Sequence, residues 1–129
     1  MKLLGLDYGE KWIGIAFSEG ILSQGVRRVS RKQATVEIVS LCRQMGIERL
    51  VIGIPEGKIA VKIKDFVAQL KKVLPLPITL WDETLSSYEA QMQLLQISSG
   101  QKNRRQKIHQ TAAAIMLDTF IKQNKIHEF

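Results

Sequence analysis

The sequence predicts an α/β protein built on a mixed sheet, and three observations carry that prediction. Two strand-like apolar runs open the chain and are joined by a short glycine turn. From about residue 32 onward, apolar runs of strand length alternate with segments of helical periodicity. Several of the strand-like runs end on carboxylates. Strands separated by helices imply parallel pairing, while an opening hairpin implies an antiparallel part, so one sheet should contain both.

The elements follow in order. Residues 2 to 7 and 12 to 18 read as strands joined through "YGEK", whose glycine suits a hairpin, and residues 21 to 30 extend the meander. "KQATVEIVSLCRQMG" places Val36, Ile38, Val39, Leu41, Cys42 and Met45 at helical spacing and stops at Gly46. "RLVIGIP" is a near-continuous apolar run typical of a strand covered on both faces, and Pro55 ends it. Residues 58 to 73 put Ile59, Ile63, Phe66, Val67 and Leu70 on one helical face, and "LPITLWDE" is the next strand. "SSYE" can cap a helix beginning at Ser86 or Ser87 and running to about Ile97. "SSGQKNRRQK" reads as a polar, basic loop, and "IHQTAAAIMLDTFIKQ" as a last helix whose alanines permit close packing.

With 129 residues, the expectation is one domain over residues 1–129 with a sizeable core. A composition of 45% hydrophobic and 24% charged residues is that of a globular chain and argues against extensive disorder. No apolar run reaches the roughly 20 residues needed to span a bilayer, and the N-terminus lacks a cleavable signal pattern, so a cytoplasmic protein is expected. Cys42 stands alone, which excludes an internal disulfide, and its place in the helical pattern points to a buried thiol. Nineteen Lys and Arg against twelve Asp and Glu give a formal charge of +7, which suits a polyanionic partner. The basic residues cluster at Arg27 to Lys32, Lys58 to Lys72 and Lys102 to Lys107.

In an open α/β sheet, functional groups gather at the carboxyl ends of the strands. Asp7 ends the first run, Pro55 and Glu56 the fourth, and Asp82 and Glu83 the fifth. A carboxylate at a buried strand end loses hydration unless a cation or donors compensate it. An oxygen-rich site from two strand ends and a following helix suits Mg²⁺ or Mn²⁺, and such a site hydrolyses phosphodiesters. The other reading of Asp7 alone is a turn aspartate capping the hairpin.

"GLDYGEKWIGIAFSE", "VIGIP", "DETLSSYEA" and "AAAIML" resemble, in order and spacing, the motifs of the YqgF family, also described as RuvX or RuvC-like Holliday junction resolvases and as pre-16S ribosomal RNA nucleases. The resemblance runs from Lys2 to about Phe120. It implies a ribonuclease H-like fold with a five-stranded mixed sheet flanked by helices, a divalent-metal nuclease, and processing of the 5′ end of pre-16S ribosomal RNA. Holliday junction resolution or binding of nucleic acid without catalysis are the alternatives. Asp7 matches the family's first-strand aspartate and Glu83 its second acidic residue; both would be metal ligands. Gly5 and Gly9 match glycines that leave room for approaching backbone. Asp82 should face away from Glu83 if the strand persists, supporting the ligands or only the fold.

The chain departs from the family at four places. His109 stands where the family commonly has a third aspartate; it would be a ligand, a general base, or a plain helix residue. Asp118 lies nine residues further along and is expected to be an exposed helix residue. Trp12 replaces a basic residue and could stack on a base, although core packing is the stronger expectation. Thr84 replaces an arginine, and the loop after "GIP" is shortened to "EGK". Lys11, Lys58, Lys62, Arg104 and Arg105 are the expected phosphate contacts, in a monomer or weak homodimer. An actin-like ATPase or sugar kinase also opens on such a strand and turn, but would need a second phosphate loop and a second domain.

Overall fold

The computed structural model describes residues 1–54, 59–82 and 101–124. Five strands form one sheet: β1 (Leu3–Tyr8), β2 (Trp12–Ser18), β3 (Ser23–Ser30), β4 (Arg49–Ile54) and β5 (Ile78–Asp82). Their order is β3-β2-β1-β4-β5. β1 pairs antiparallel with β2 and parallel with β4, and β4 pairs parallel with β5. The sheet is therefore mixed, as the hairpin followed by strand–helix alternation requires. The hairpin turn is tighter than the sequence suggests, because Tyr8 completes β1 and the Gly9 amide donates to the Trp12 carbonyl at 3.0 Å.

Three helices are described: α1 (Ala34–Met45), α2 (Ile59–Val73) and α3 (Gln101–Asn124). α1 ends where Gly46 adopts a left-handed conformation at φ 64°, which a glycine reaches without the Cβ clash that hinders other residues. α1 and α2 cover one face of the sheet. Strand residues Leu4, Leu6, Ile13, Ile15, Leu50 and Ile52 meet Ile38, Leu41, Ile63 and Leu70 there, and all of these are buried. Among the described residues α3 covers the other face, packing Ala113, Met116, Leu117, Phe120 and Ile121 on Leu3, Ala16 and Val51. Each Leu or Ile so removed from water contributes about 2 kcal/mol, so both layers hold the sheet.

Three expectations need correction. The segment 101–107 is not loop but the opening of α3. Its Gln, Lys and Arg residues favour helix, and the last breaker before them is Gly100, whereas their lack of apolar periodicity hid the helix. Asp118 is not an exposed helix residue. It is half-buried, and its Oδ1 accepts the Ser23 amide at 2.8 Å, fixing the start of β3 to α3. β3 itself begins two residues later than expected, leaving Ile21 and Leu22 exposed before it. The capped helix expected from Ser86 or Ser87 lies outside the described residues.

Candidate functional site

β1, β4 and β5 run parallel and side by side, so their carboxyl ends meet at one edge. Asp7 pairs with Gly53, Gly53 with Trp81, and Ile54 with Asp82. The strand ends that the sequence marks with acidic residues are thus brought together in the backbone. Asp7 sits two residues after Gly5, and Gly5 faces Leu117 of α3; alternation places Asp7 on the α3 side as well. Asp7 is half-buried there. Trp81, one residue before the end of β5, packs edge-on against Phe120 at 5.8 Å between ring centres, which gives β5 the same outlook. Glu83, Lys58, Pro55, Glu56 and Thr84 lie outside the described residues.

His109 reaches this edge because α3 lies unusually close to the strands. Its buried stripe, Ala112, Ala113, Met116, Leu117 and Phe120, recurs at helical spacing, and His109 continues it toward the carboxyl end of β1. Three glycines on three strands make the approach possible. A Cβ at Gly14 would collide with the His109 carbonyl, one at Gly25 would lie 2.9 Å from the Gln110 carbonyl, and one at Gly5 would lie 3.0 Å from the Leu117 Cβ. Gly14 is the cross-strand partner of Asp7, about 5 Å away between Cα atoms. The helix backbone at His109 therefore passes over the strand next to the one that carries Asp7. Gly9 is tight for a different reason, its Cβ position lying 2.7 Å from the Trp12 carbonyl inside the hairpin turn.

The electrostatic neighbour of His109 is Arg28. Arg28 pairs with Gly14 on the β3 side, opposite Asp7, and its guanidinium lies 3.8 Å from the centre of the Trp12 ring. Trp12 is thus neither a core residue nor a free stacking platform: it is half-buried and holds a cation. Burial first, and the Arg28 charge second, hold the His109 imidazole below the usual histidine range, so it is neutral at pH 7 with a lone pair to give. Arg28 was not among the expected site residues. A register shift in β3 after its pairing with Ile15 sets which residue stands beside Gly14, and the sequence carries no plain sign of it.

Of the expected phosphate contacts, Lys11 in the hairpin turn and Lys62 on α2 are exposed, and positions 104 and 105 fall within the first two turns of α3. Cys42 is buried, as expected, and burial pushes its thiol up to about 11. Among the described residues no group of three His, Cys, Asp or Glu side chains gathers around a common point. Nor is any described helix long and apolar enough to cross a membrane.

A five-stranded mixed sheet carrying carboxylates at the ends of its parallel strands, with a helix packed closely over its hairpin, defines a ribonuclease H-like fold. The chain matches the family model described as RuvX: Holliday junction resolvase over residues 1–123. It is 34% identical over 139 aligned residues to a protein of Halothermothrix orenii named "Putative pre-16S rRNA nuclease", covering 98% of this chain and 99% of that one. A protein of the same name from Syntrophus aciditrophicus is 36% identical, covering 98% and 93% respectively. The chain therefore belongs to the RuvX family. Among solved structures it is similar in fold to RuvC of Thermus thermophilus in complex with Holliday junction substrate, with a TM-score of 0.66 at 12% identity over 98% of this chain and 96% of that one. It is also similar to the fowlpox virus Holliday junction resolvase, with a TM-score of 0.60 at 12% identity over 98% and 100%.

Proposed function

We propose that this chain hydrolyses phosphodiester bonds in nucleic acid with a divalent cation, Mg²⁺ or Mn²⁺, and that its substrate is the 5′ end of the pre-16S ribosomal RNA. The observation that supports this reading is that the α3 backbone at His109 passes over Gly14, the cross-strand partner of Asp7, at the carboxyl edge of β1. The donor set fits such an ion. Asp7 offers a hard carboxylate oxygen, His109 a neutral imidazole, and Glu83 follows directly on β5 as the second carboxylate. A bound ion would supply Lewis-acid activation of the attacking water and of the scissile phosphate.

The chain's own residues do the rest. Asp7 and Glu83 would hold such a cation at the edge, and His109 would either ligate it or take a proton from the attacking water. Asp82 supports these groups or the end of β5. Lys11, Lys58, Lys62, Arg104 and Arg105 draw the flanking phosphates in, and binding should fall steeply with salt as counterions are released. The names of the relatives support RNA as the substrate.

A second reading, resolution of branched DNA, is favoured by the description of the family model. Positive charge reads backbone rather than bases, so the lysines and arginines serve either substrate. The deciding experiment offers purified protein a precursor RNA spanning the 5′ maturation site and a four-way DNA junction, each with Mn²⁺. Cleavage of the RNA that vanishes in Asp7→Asn is expected. Cleavage of the junction alone would favour the second reading, and cleavage of neither would sink both. The same preparation, run at several concentrations on a sizing column, tests the expectation of a monomer or weak dimer in one domain.

A further inference from the structure

Asp7 and Tyr8 are consecutive in β1 and therefore face opposite sides of the sheet. On the Tyr8 side the structure holds a groove of about 630 Å³ between the β1–β2 turn, the end of β3 and α2. We infer that this groove binds a single-stranded stretch of the nucleic-acid substrate flanking the bond that is cut. That the bound strand flanks a cleaved bond rests on the nuclease reading; the binding itself does not.

The walls of the groove are built rather than incidental. The Arg31 guanidinium lies 5.1 Å from the centre of the Tyr8 ring and donates from Nη1 to the Glu10 carbonyl at 2.7 Å. The Arg31 amide donates in turn to the Lys11 carbonyl at 3.2 Å. These contacts tie the hairpin turn to the chain leaving β3. Beneath them Tyr8 and Phe66 pack with ring centres 5.3 Å apart, giving an apolar floor. Lys11, Lys32 and Lys62 then reach the rim from three separate elements, and all three are exposed. None of the three makes an ion pair among the described residues. Like charges converging on one concave surface repel one another, and an anion between them relieves that repulsion.

The carboxylates of Glu10 and Asp65 also line the groove, and they narrow the choice of ligand. A lining of cations and acceptors together suits a chain that carries both phosphates and donors, namely sugar hydroxyls and base amino groups. An acidic peptide brings anions of its own beside those carboxylates and fits less well. A volume of this size holds a small molecule, on the order of one or two nucleotides, and not a duplex. The floor faces away from Asp7, so a strand bound here reaches the catalytic edge by passing around the β1–β2 turn.

The test is fluorescence anisotropy in EDTA, where cleavage plays no part, with labelled duplexes that carry or lack a short single-stranded flank of RNA or of DNA. The flank should tighten binding by about 10-fold, and Lys32→Glu should remove most of that gain and reduce the salt slope by roughly two. Lys32 is exposed, so the exchange leaves the core intact, and circular dichroism verifies this. A preference for an RNA flank or equal use of both sugars supports the inference alike, the first adding hydroxyl recognition to phosphate contact. Equal loss on flanked and unflanked duplexes would overturn it, as would displacement of the strand by poly-glutamate at the same charge concentration. Failure of the wild type to cut any substrate with Mn²⁺ would sink the nuclease reading while leaving a flank-dependent affinity in place.

Discussion

The main-chain carbonyl of His109 occupies the space in which a side chain on Gly14 would begin. No rotamer relieves that contact, because both partners are backbone. Gly14→Ala must therefore push α3 off the sheet at the level of Asp7. We expect a loss of about 3 kcal/mol or more in urea unfolding. Gly5→Ala should cost less, about 1 kcal/mol, because its new Cβ would lie 3.0 Å from the Leu117 Cβ, where a few tenths of an ångström of adjustment suffices. Equal costs for the two would contradict the close approach of the helix at Gly14.

Asp7→Asn keeps the size of the side chain but removes the charge that would hold a cation. Because even residues that merely orient ligands cost 10 to 100-fold when changed, a direct ligand should cost more than about 100-fold in cleavage rate. Affinity for the uncleaved substrate in EDTA should stay within a factor of about two, since that affinity comes from the basic residues. A variant that cleaves normally would remove Asp7 from the chemistry.

His109 offers a test of ion preference. Imidazole is a softer ligand than carboxylate and suits Mn²⁺ better than Mg²⁺. In His109→Asp the rate with Mg²⁺ should rise relative to the rate with Mn²⁺, and in His109→Ala both should fall, by about 10-fold or more. An unchanged ratio in the first variant together with an unchanged rate in the second would make His109 a helix residue without a part in the site.

Cys42 gives a pH dependence of stability. Its folded thiol titrates near 11 against a reference of 9.0, so the fold favours the protonated form. That contribution is complete below pH 9, where the thiol is protonated in both states. It declines as the pH rises from 9 to 11, because the unfolded chain then releases the proton first. The full loss is about 3 kcal/mol, and Cys42→Ala should show a flatter decline in stability over the same interval. Native Cys42 should also resist alkylation at pH 8 until the protein is unfolded; rapid modification of the folded protein would count against its burial.

The strands and two of the helices were legible because their apolar residues recur with the right period, and the carboxyl ends of β1, β4 and β5 meet where the acidic residues suggested. Position 109 stands out only through the family resemblance, as the place of an aspartate before the alanines of the last helix. What stayed hidden depends on neighbours that are distant in sequence. Arg28 stands beside Gly14 only because the pairing of β2 with β3 shifts register after Ile15. The opening of α3 carries helix-favouring but wholly polar residues, which periodicity cannot detect. The anchoring of Asp118 leaves no local sign, because its partner, the Ser23 amide, is 95 positions away. Gly14 and Gly25 did leave a usable sign, since an isolated glycine inside a strand marks close approach of another backbone.

Gly14 and Gly25 under α3 separate the mounting from the part it carries. Where main chain rests on main chain, the seat of the helix does not depend on which side chain stands at position 109. A lineage can then exchange an aspartate for a histidine there without rebuilding the architecture that presents it. Variation at 109 is structurally cheap, whereas at Gly14 even a methyl group is too much.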